Sequence, residues 1–193
     1  MTIEFKAWPK IARLNREIYV TEKIDGTNAA IIVTETGEVG AQSRSRVITP
    51  EEDNFGFAAW VQKNADQLRE VLGEGYHFGE WWGGGIQRKY GLEKTAKRFS
   101  LFNVKRWQDV FEDEDNEAVV DLINEGLDVV PVLYSGPYNQ KFIDYCLEGL
   151  RANGSAAMPG FMDPEGIVVY HVAANQMFKV TLKGDDEPKS VQR

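Results

Sequence analysis

The sequence predicts an α+β fold, and three observations carry that expectation. Short alternating or apolar runs bounded by Gly, Asn, Asp and Pro recur along the chain. Three stretches show helical spacing instead, and the two kinds do not alternate as a βαβ fold requires. In order, residues 18–23 and 29–34 read as strands joined by the polar turn Asp25-Gly26-Thr27-Asn28. The turn Glu35-Thr36-Gly37-Glu38 then leads to a strand at 39–43. Thr49-Pro50-Glu51-Glu52 is a Thr-x-x-Glu capping box with proline at the first helical position. A helix is expected from there, carrying Phe57, Val61, Leu68 and Leu72 at helical spacing. Residues 76–82 alternate as a strand that runs into the hairpin loop Gly83-Gly84-Gly85, and 98–107 reads as a further strand. Helices are expected at 119–127 and 142–150, with a strand at 129–134 between them. Two late strands, 166–171 and 176–182, flank the turn Ala173-Ala174-Asn175, and the polar tail beyond Lys183 is expected to fray.

A chain of 193 residues is long enough for one domain with a real core, and its 42% hydrophobic content excludes a disordered or collagen-like polymer. The net charge of −8 argues at first against an anionic partner. Its distribution removes that objection. Asp109, Glu112, Asp113, Glu114, Asp115, Glu117, Asp121, Glu125 and Asp128 fall in one stretch without Lys or Arg, which reads as a solvated helix and its approach. Residues 88–106 carry Arg88, Lys89, Lys94, Lys97, Arg98, Lys105 and Arg106 against the single acid Glu93. That basic stretch is a candidate face for a nucleic-acid strand. Cys146 is the only cysteine, which excludes an intramolecular disulfide and suits a reducing compartment; its apolar helical setting reads as core. There is no basic-then-apolar leader and no long apolar run, so the expectation is a soluble cytoplasmic protein with no membrane partner. Trp81 and Trp82 read as core, and His77 and His171 stand apart from any second histidine or cysteine that would complete a zinc site.

Several residue groups suggest phosphate chemistry. Lys23 ends a strand beside a turn, in Lys23-Ile24-Asp25-Gly26, a position suited to a nucleophile. An unperturbed lysine has a pKa of about 10.4, so roughly one in a thousand is neutral near pH 7.4. Lowering that value to 7–8 takes about 3–4 kcal/mol from nearby cations or desolvation. Lys179, Lys183 or a metal ion are the candidate sources. Arg44, in Ser43-Arg44-Ser45-Arg46, can fork onto phosphate oxygens. Glu80 is a lone carboxylate on an aromatic strand, and ribose hydroxyls would partner it. Glu165 precedes an apolar strand, where holding Mg²⁺ would account for it. Lys179 lies within the apolar run from Met177 to Leu182, where a bound phosphate would offset its burial.

Taken in order, these segments resemble the covalent nucleotidyltransferase superfamily of ATP-dependent ligases and mRNA capping enzymes, from Lys23 to Lys183. The resemblance implies a nucleotidyltransferase domain, an ATP-grasp-like arrangement of antiparallel sheets flanked by helices. Lys23 to Gly26 is similar to motif I, whose lysine takes the nucleotide and whose Asp25 joins the catalytic set. Arg44 is similar to the motif Ia arginine, Glu80 to the motif III acid and Phe102 to the adenine-stacking aromatic of motif IIIa. Glu165 resembles the metal-associated acid of motif IV, and Lys179 the first lysine of motif V. Glu22 before the lysine and Asn28 five residues after it resemble the nick-sealing RNA ligases. A carboxylate at Glu22 could accept a hydrogen bond from the adenine amino group, whereas it would repel the carbonyl of guanine.

Two departures accompany the resemblance. Where the family places a second motif V lysine two residues on, this chain has Thr181, and its next lysine is Lys183. A step of four residues keeps the strand face but moves about 13 Å along it. Ten residues follow Lys183, so the expectation is a nucleotidyltransferase domain over 1–184, a polar tail over 185–193 and no OB domain. The implied activity is an ATP-dependent RNA ligase using Mg²⁺ or Mn²⁺. It would form lysyl-AMP, pass AMP to an RNA 5′-phosphate and seal to a 3′-OH, with a partner protein supplying a substrate-binding domain. DNA nick sealing, transfer of AMP to another acceptor, and a non-catalytic nucleotide or nucleic-acid binding module stay open as alternatives.

Overall fold

The computed structural model of the protein describes residues 3–183, so the expected frayed tail lies outside the described residues. The strands are β1 (Glu17–Lys23), β2 (Thr27–Val33), β3 (Val39–Ser43), β4 (Val47–Ile48), β5 (Gly75–Gly83), β6 (Lys97–Leu101), β7 (Leu127–Val129), β8 (Val132–Pro137), β9 (Gly166–His171) and β10 (Gln176–Thr181). The helices are α1 (Phe57–Lys63), α2 (Ala65–Leu72), α3 (Val104–Phe111), α4 (Glu117–Asn124) and α5 (Gln140–Asn153). The strands form a four-stranded sheet in the order β10-β9-β1-β8 and a six-stranded sheet in the order β4-β3-β2-β5-β6-β7. Every pairing is antiparallel except the parallel pair β6–β7. The α+β class holds.

The turn at 25–28 joins two strands as expected, but they lie in different sheets, because β1 pairs with β8 and β9 while β2 pairs with β3 and β5. It is a crossover between sheets. Three other expectations need correction. The capping box at 49–52 does bond, with the Glu52 amide donating to Thr49 Oγ1 at 3.3 Å, but it closes only a turn. Left-handed backbone at Phe55 and Gly56 then interrupts the chain, and α1 starts where the Asp53 carboxylate accepts from the amides of Ala58 (2.8 Å) and Ala59 (3.0 Å). The apolar stripe survives: Phe57, Val61, Leu68 and Leu72 are all buried, split between α1 and α2 at Asn64. The strand expected at 98–107 stops at Leu101, because Asn103 accepts from the Arg106 amide and caps α3. The strand expected at 129–134 divides at Val130 and Pro131, β7 staying in the larger sheet and β8 joining the smaller. Pro131 has no amide to continue a ladder, while its carbonyl accepts from the Glu22 amide at 3.0 Å.

Burial follows this division. Helices α1–α4 cover one face of the larger sheet, where Phe57, Trp60, Trp81 and Phe99 pack as an aromatic group. Helix α5 covers the smaller sheet through Ile143 and Leu150 against Ile18, Val20, Ile167 and Val169. A third cluster, Ile24, Trp82, Tyr90, Val104 and Val130, includes both residues at which the chain changes sheet. Trp81 and Trp82 are core, and Cys146 is half-buried on α5. His77 bonds the Gly73 carbonyl at 2.9 Å; His171 bonds the Leu14 carbonyl at 2.8 Å. The acidic stretch lies on α3, α4 and their flanks, exposed except for half-buried Glu125, which pairs with Lys63 at 2.6 Å. Among the described residues no helix is long and apolar enough to cross a membrane.

Candidate active site

Register places the candidate residues before any side chain is considered. Lys23 of β1, Gly166 of β9 and Thr181 of β10 stand in one row across the smaller sheet. Thr21, Val168 and Lys179 stand in the next row on the same face. Lys179 is exposed there. On the larger sheet Asn28, Glu80 and Ser100 form one row, and continuing the β2–β3 register puts Arg44 level with Asn28. Phe102, just past β6, continues the β5–β6 register to Phe78, in the row beside Glu80; its amide bonds the Phe78 carbonyl at 3.0 Å. Alternation along β5 puts Tyr76 and Phe78 on the Glu80 face, with their rings stacked 6.2 Å apart.

The rows meet where the chain crosses between sheets. Lys23 Nζ lies 2.5 Å from Glu165 Oε2. Glu80 Oε1 accepts from the Gly26 amide at 3.0 Å, and its Oε2 accepts from Asn28 Nδ2 at 2.8 Å. Glycine at 26 is required by close approach, since a Cβ there would sit 2.4 Å from the Trp81 carbonyl oxygen and 2.8 Å from Trp82 Cβ. Burial pushes the Glu80 carboxyl up to about 7, against the opposing pull of the Gly26 amide, the Lys23 charge and Asn28. A half-neutral buried acid beside a lysine and a second carboxylate is the type of group that marks a reaction site.

Other expected residues are placed differently. Strand alternation turns Glu22 to the α5 face with Ile18 and Val20, opposite Lys23. Its Oε2 accepts from the amides of Ala156 (2.7 Å) and Ala157 (2.9 Å), so the carboxylate anchors the loop after α5. Its Oε1 is buried without a hydrogen-bond partner among the described residues. Lys183 pairs with Asp163 at 3.0 Å rather than lying free beside Lys179. Arg88, expected on a face open to nucleic acid, is largely buried: Nε bonds Asp25 Oδ2 at 3.0 Å and Nη1 bonds Asp163 Oδ2 at 2.8 Å. Arg106 turns its guanidinium over the Trp107 ring at 4.3 Å, so the basic stretch is not one open face.

Three residues around the site were not anticipated as part of it: Arg88 in this role, Tyr90 and Asp163. Tyr90 is fully buried, and its hydroxyl accepts from the Asp25 amide at 2.9 Å. Burial pushes its phenol well above the ordinary value, so it stays protonated. The hydrogen bond from Lys183, with the charges of Arg88 and Lys183, holds the Asp163 carboxyl below the usual carboxylate range. In sequence Arg88 was visible only as part of the basic stretch 88–106. A cleft of about 430 Å³ runs along α5 and β8, away from Lys23, lined mainly by apolar and aromatic groups such as Leu133, Tyr134 and Phe142. Chemistry, rather than room, singles out Lys23.

A strand-end lysine on one sheet, a buried carboxylate on the other and a crossover that brings them together define a nucleotidyltransferase domain of the α+β type. The RNA ligase family model matches residues 16–181, and the chain belongs to that family. In structure it is similar to the RNA ligase of Naegleria gruberi. A variant of that enzyme with ATP and manganese matches at TM-score 0.62 and 17% identity, over 90% of this chain and 53% of that one. A variant with AMP and manganese matches at TM-score 0.60 and 18% identity, over 88% and 51%. The same ligase with pyrophosphate matches at TM-score 0.60 and 17% identity, over 88% and 50%. The chain thus spans about half the length of those structures. No curated protein matches it in sequence.

Proposed function

We propose that residues 1–184 form the nucleotide-transferring domain of an ATP-dependent RNA ligase and that Lys23 is its nucleophile. The observation that carries this reading is the convergence of Lys23, Glu165 and Glu80 at the sheet crossover. The Lys23 nitrogen attacks the α-phosphorus of ATP in line. A phosphorus–nitrogen bond forms, the bond to the pyrophosphate oxygen breaks, and the amine proton leaves to solvent or a neighbouring carboxylate. Glu80 receives the ribose hydroxyls, Asn28 and Arg44 lie level with it to meet phosphate oxygens, and Phe102 offers a ring to the adenine. Lys179, on the Lys23 face, stabilises charge on the α-phosphate. Glu22 would meet the adenine amino group through Oε1 alone, since Oε2 is engaged. AMP then passes to an RNA 5′-phosphate, and a 3′-OH displaces it.

The relatives hold manganese with their nucleotides, and the residues here fit a divalent cation that arrives with the triphosphate. Among the described residues no group of three or more His, Cys, Asp or Glu is arranged as a metal cage. Magnesium is commonly bound by one or two carboxylates plus phosphates, and Glu165 is the carboxylate in place. When bound, the cation would neutralise phosphate charge and compete with Lys23 for Glu165. Lys23 Nζ and Glu165 Oε2 stand in ion-pair contact, 2.5 Å apart.

The test is incubation with α-labelled ATP and Mg²⁺ or Mn²⁺. Label should stay with the parent protein in denaturing gels and disappear with Lys23→Ala. No adduct, or one that survives Lys23→Ala, would leave a non-catalytic binding module. Preferential labelling by GTP would indicate capping chemistry. Nicked RNA, RNA–DNA hybrid and DNA then identify the acceptor, with RNA expected to be sealed best.

A further inference from the structure

Between β5 and β6 the chain passes through a loop with left-handed backbone at Gln87 (φ 40°), Lys89 (φ 62°) and Tyr90 (φ 50°), three residues that carry side chains. Such conformations persist only where the surroundings fix them. Here the fixing contacts converge on one residue, Asp25. Tyr90, clamped between the rings of Trp82 (4.9 Å) and Phe161 (4.6 Å), accepts a hydrogen bond from the Asp25 amide. Arg88 bonds the Asp25 carboxylate through Nε; through Nη1 it bonds both the carboxylate and the backbone carbonyl (3.0 Å) of Asp163. Asp25 is two residues beyond Lys23, and Asp163 is two residues before Glu165. The guanidinium therefore ties together the two segments whose next residues make the Lys23–Glu165 contact. A planar fork with several fixed donors suits that double duty, and a lysine cannot reproduce it.

We propose that Arg88 is a positioning residue for nucleotide transfer: it sets Lys23 against Glu165 by fastening Asp25 to Asp163. It touches no substrate and acts through those two carboxylates. The inference rests on the reading of Lys23 as nucleophile, and its test separates the two. In single-turnover adduct formation, Arg88→Gln should lower the rate at saturating ATP by about 10- to 100-fold, the range expected when a nucleophile is misplaced. Half-saturation in ATP should stay within about twofold, because Arg88 does not hold the nucleotide. Arg88→Lys should recover only part of the rate. Asp163→Ala should lose less than Arg88→Gln and add nothing to it in the double variant. Amide hydrogen exchange over residues 23–28 should quicken in Arg88→Gln by about fivefold or more, while the β2 and β5 amides keep their protection.

An unchanged rate would overturn the proposal, as would a weaker half-saturation at an unchanged rate. So would a rate loss matched by the unfolded fraction at the assay temperature. If the parent protein forms no adduct, the nucleophile reading fails, and the exchange experiment alone decides: unaltered protection over 23–28 overturns the role of Arg88.

Discussion

The two sheets bring opposite kinds of group to one crossover, and they are built differently. Among the described residues the larger sheet packs nineteen buried hydrophobic residues into one cluster, the smaller sheet only six. The larger sheet delivers Glu80, 8% exposed and flanked by the buried Trp81 and Trp82. The smaller delivers Lys23 and Lys179, and its outer strand β10 is exposed from Gln176 to Lys179. Burial holds a proton on an acid but would penalise a cation. The thick sheet thus suits a carboxylate that receives hydroxyls, and the thin, wet sheet suits ammonium groups that meet phosphate.

Glu80 gives the sharpest way to break that comparison. Its carboxyl titrates at about 7 in the folded protein against 4.5 ordinarily. Between those values the folded state holds the proton and the unfolded chain does not, so stability falls as pH rises through the interval and levels off above it. At 1.36 kcal/mol per unit the effect is about 3 kcal/mol. Glu80→Gln should remove it. Its amide oxygen can still accept from Gly26, and Asn28 can turn its own oxygen toward the new NH₂ group. Urea unfolding at pH 5 and pH 8 should show the parent losing about 2.5 kcal/mol more than the variant over that span, since pH 5 already lies above the unfolded value. Equal losses would mean that Glu80 is ionised throughout, and the contrast between the sheets would lose its electrostatic basis.

Gly26 tests the geometric half of the same comparison. Its N–H reaches Glu80 only because the crossover presses against Trp81 and Trp82, where a methyl would meet backbone. Gly26→Ala should destabilise by about 2 kcal/mol, as overpacking does, and lower the unfolding midpoint by about 4–8 °C for a domain of this size. Adduct formation should fall further than stability does, because the displaced turn carries Lys23. A variant as active and as stable as the parent would show that the crossover can move away freely.

How much of this was legible in the sequence depended on range. Lys23, Gly26, Glu80 and Glu165 stood out because each is a polar or special residue set in an apolar strand or beside a turn, a local anomaly. Their convergence was not legible, since a polar turn between two strands reads equally as a hairpin and as a crossover. The capping box at Thr49 and the strand run through Trp107 misled for a related reason. Thr49 and Glu52 bond as the motif requires, but Asp53 offers a stronger cap five residues before Ala58. Asn103, inside an apolar run, accepts from the Arg106 amide and so caps α3, which ends the strand the run suggested. Arg88 and Tyr90 were hidden by their company. In sequence they belong to a basic stretch, and only the fold brings them under Asp25, more than sixty residues away.

The smallest predicted effect concerns the departure in motif V. Thr181 occupies the row of Lys23, where the family carries its second lysine, and the charge is moved to Lys183. That lysine is 64% exposed on its side chain and pairs with an exposed aspartate at 3.0 Å. Exposed pairs contribute about 0.2–1 kcal/mol, so Lys183→Ala should shift the unfolding midpoint by no more than about 2–4 °C. Adduct formation should fall by about threefold or less, through looser seating of Asp163 under Arg88. Restoring the family pattern with Thr181→Lys in the Lys183→Ala background separates two accounts of the displaced charge. If the phosphate field comes from the row of Lys23, the double variant should outpace the parent in single-turnover adduct formation. If it stays at or below the level of Lys183→Ala, the thin sheet already supplies enough positive charge through Lys179, and Lys183 serves the fold by holding Asp163.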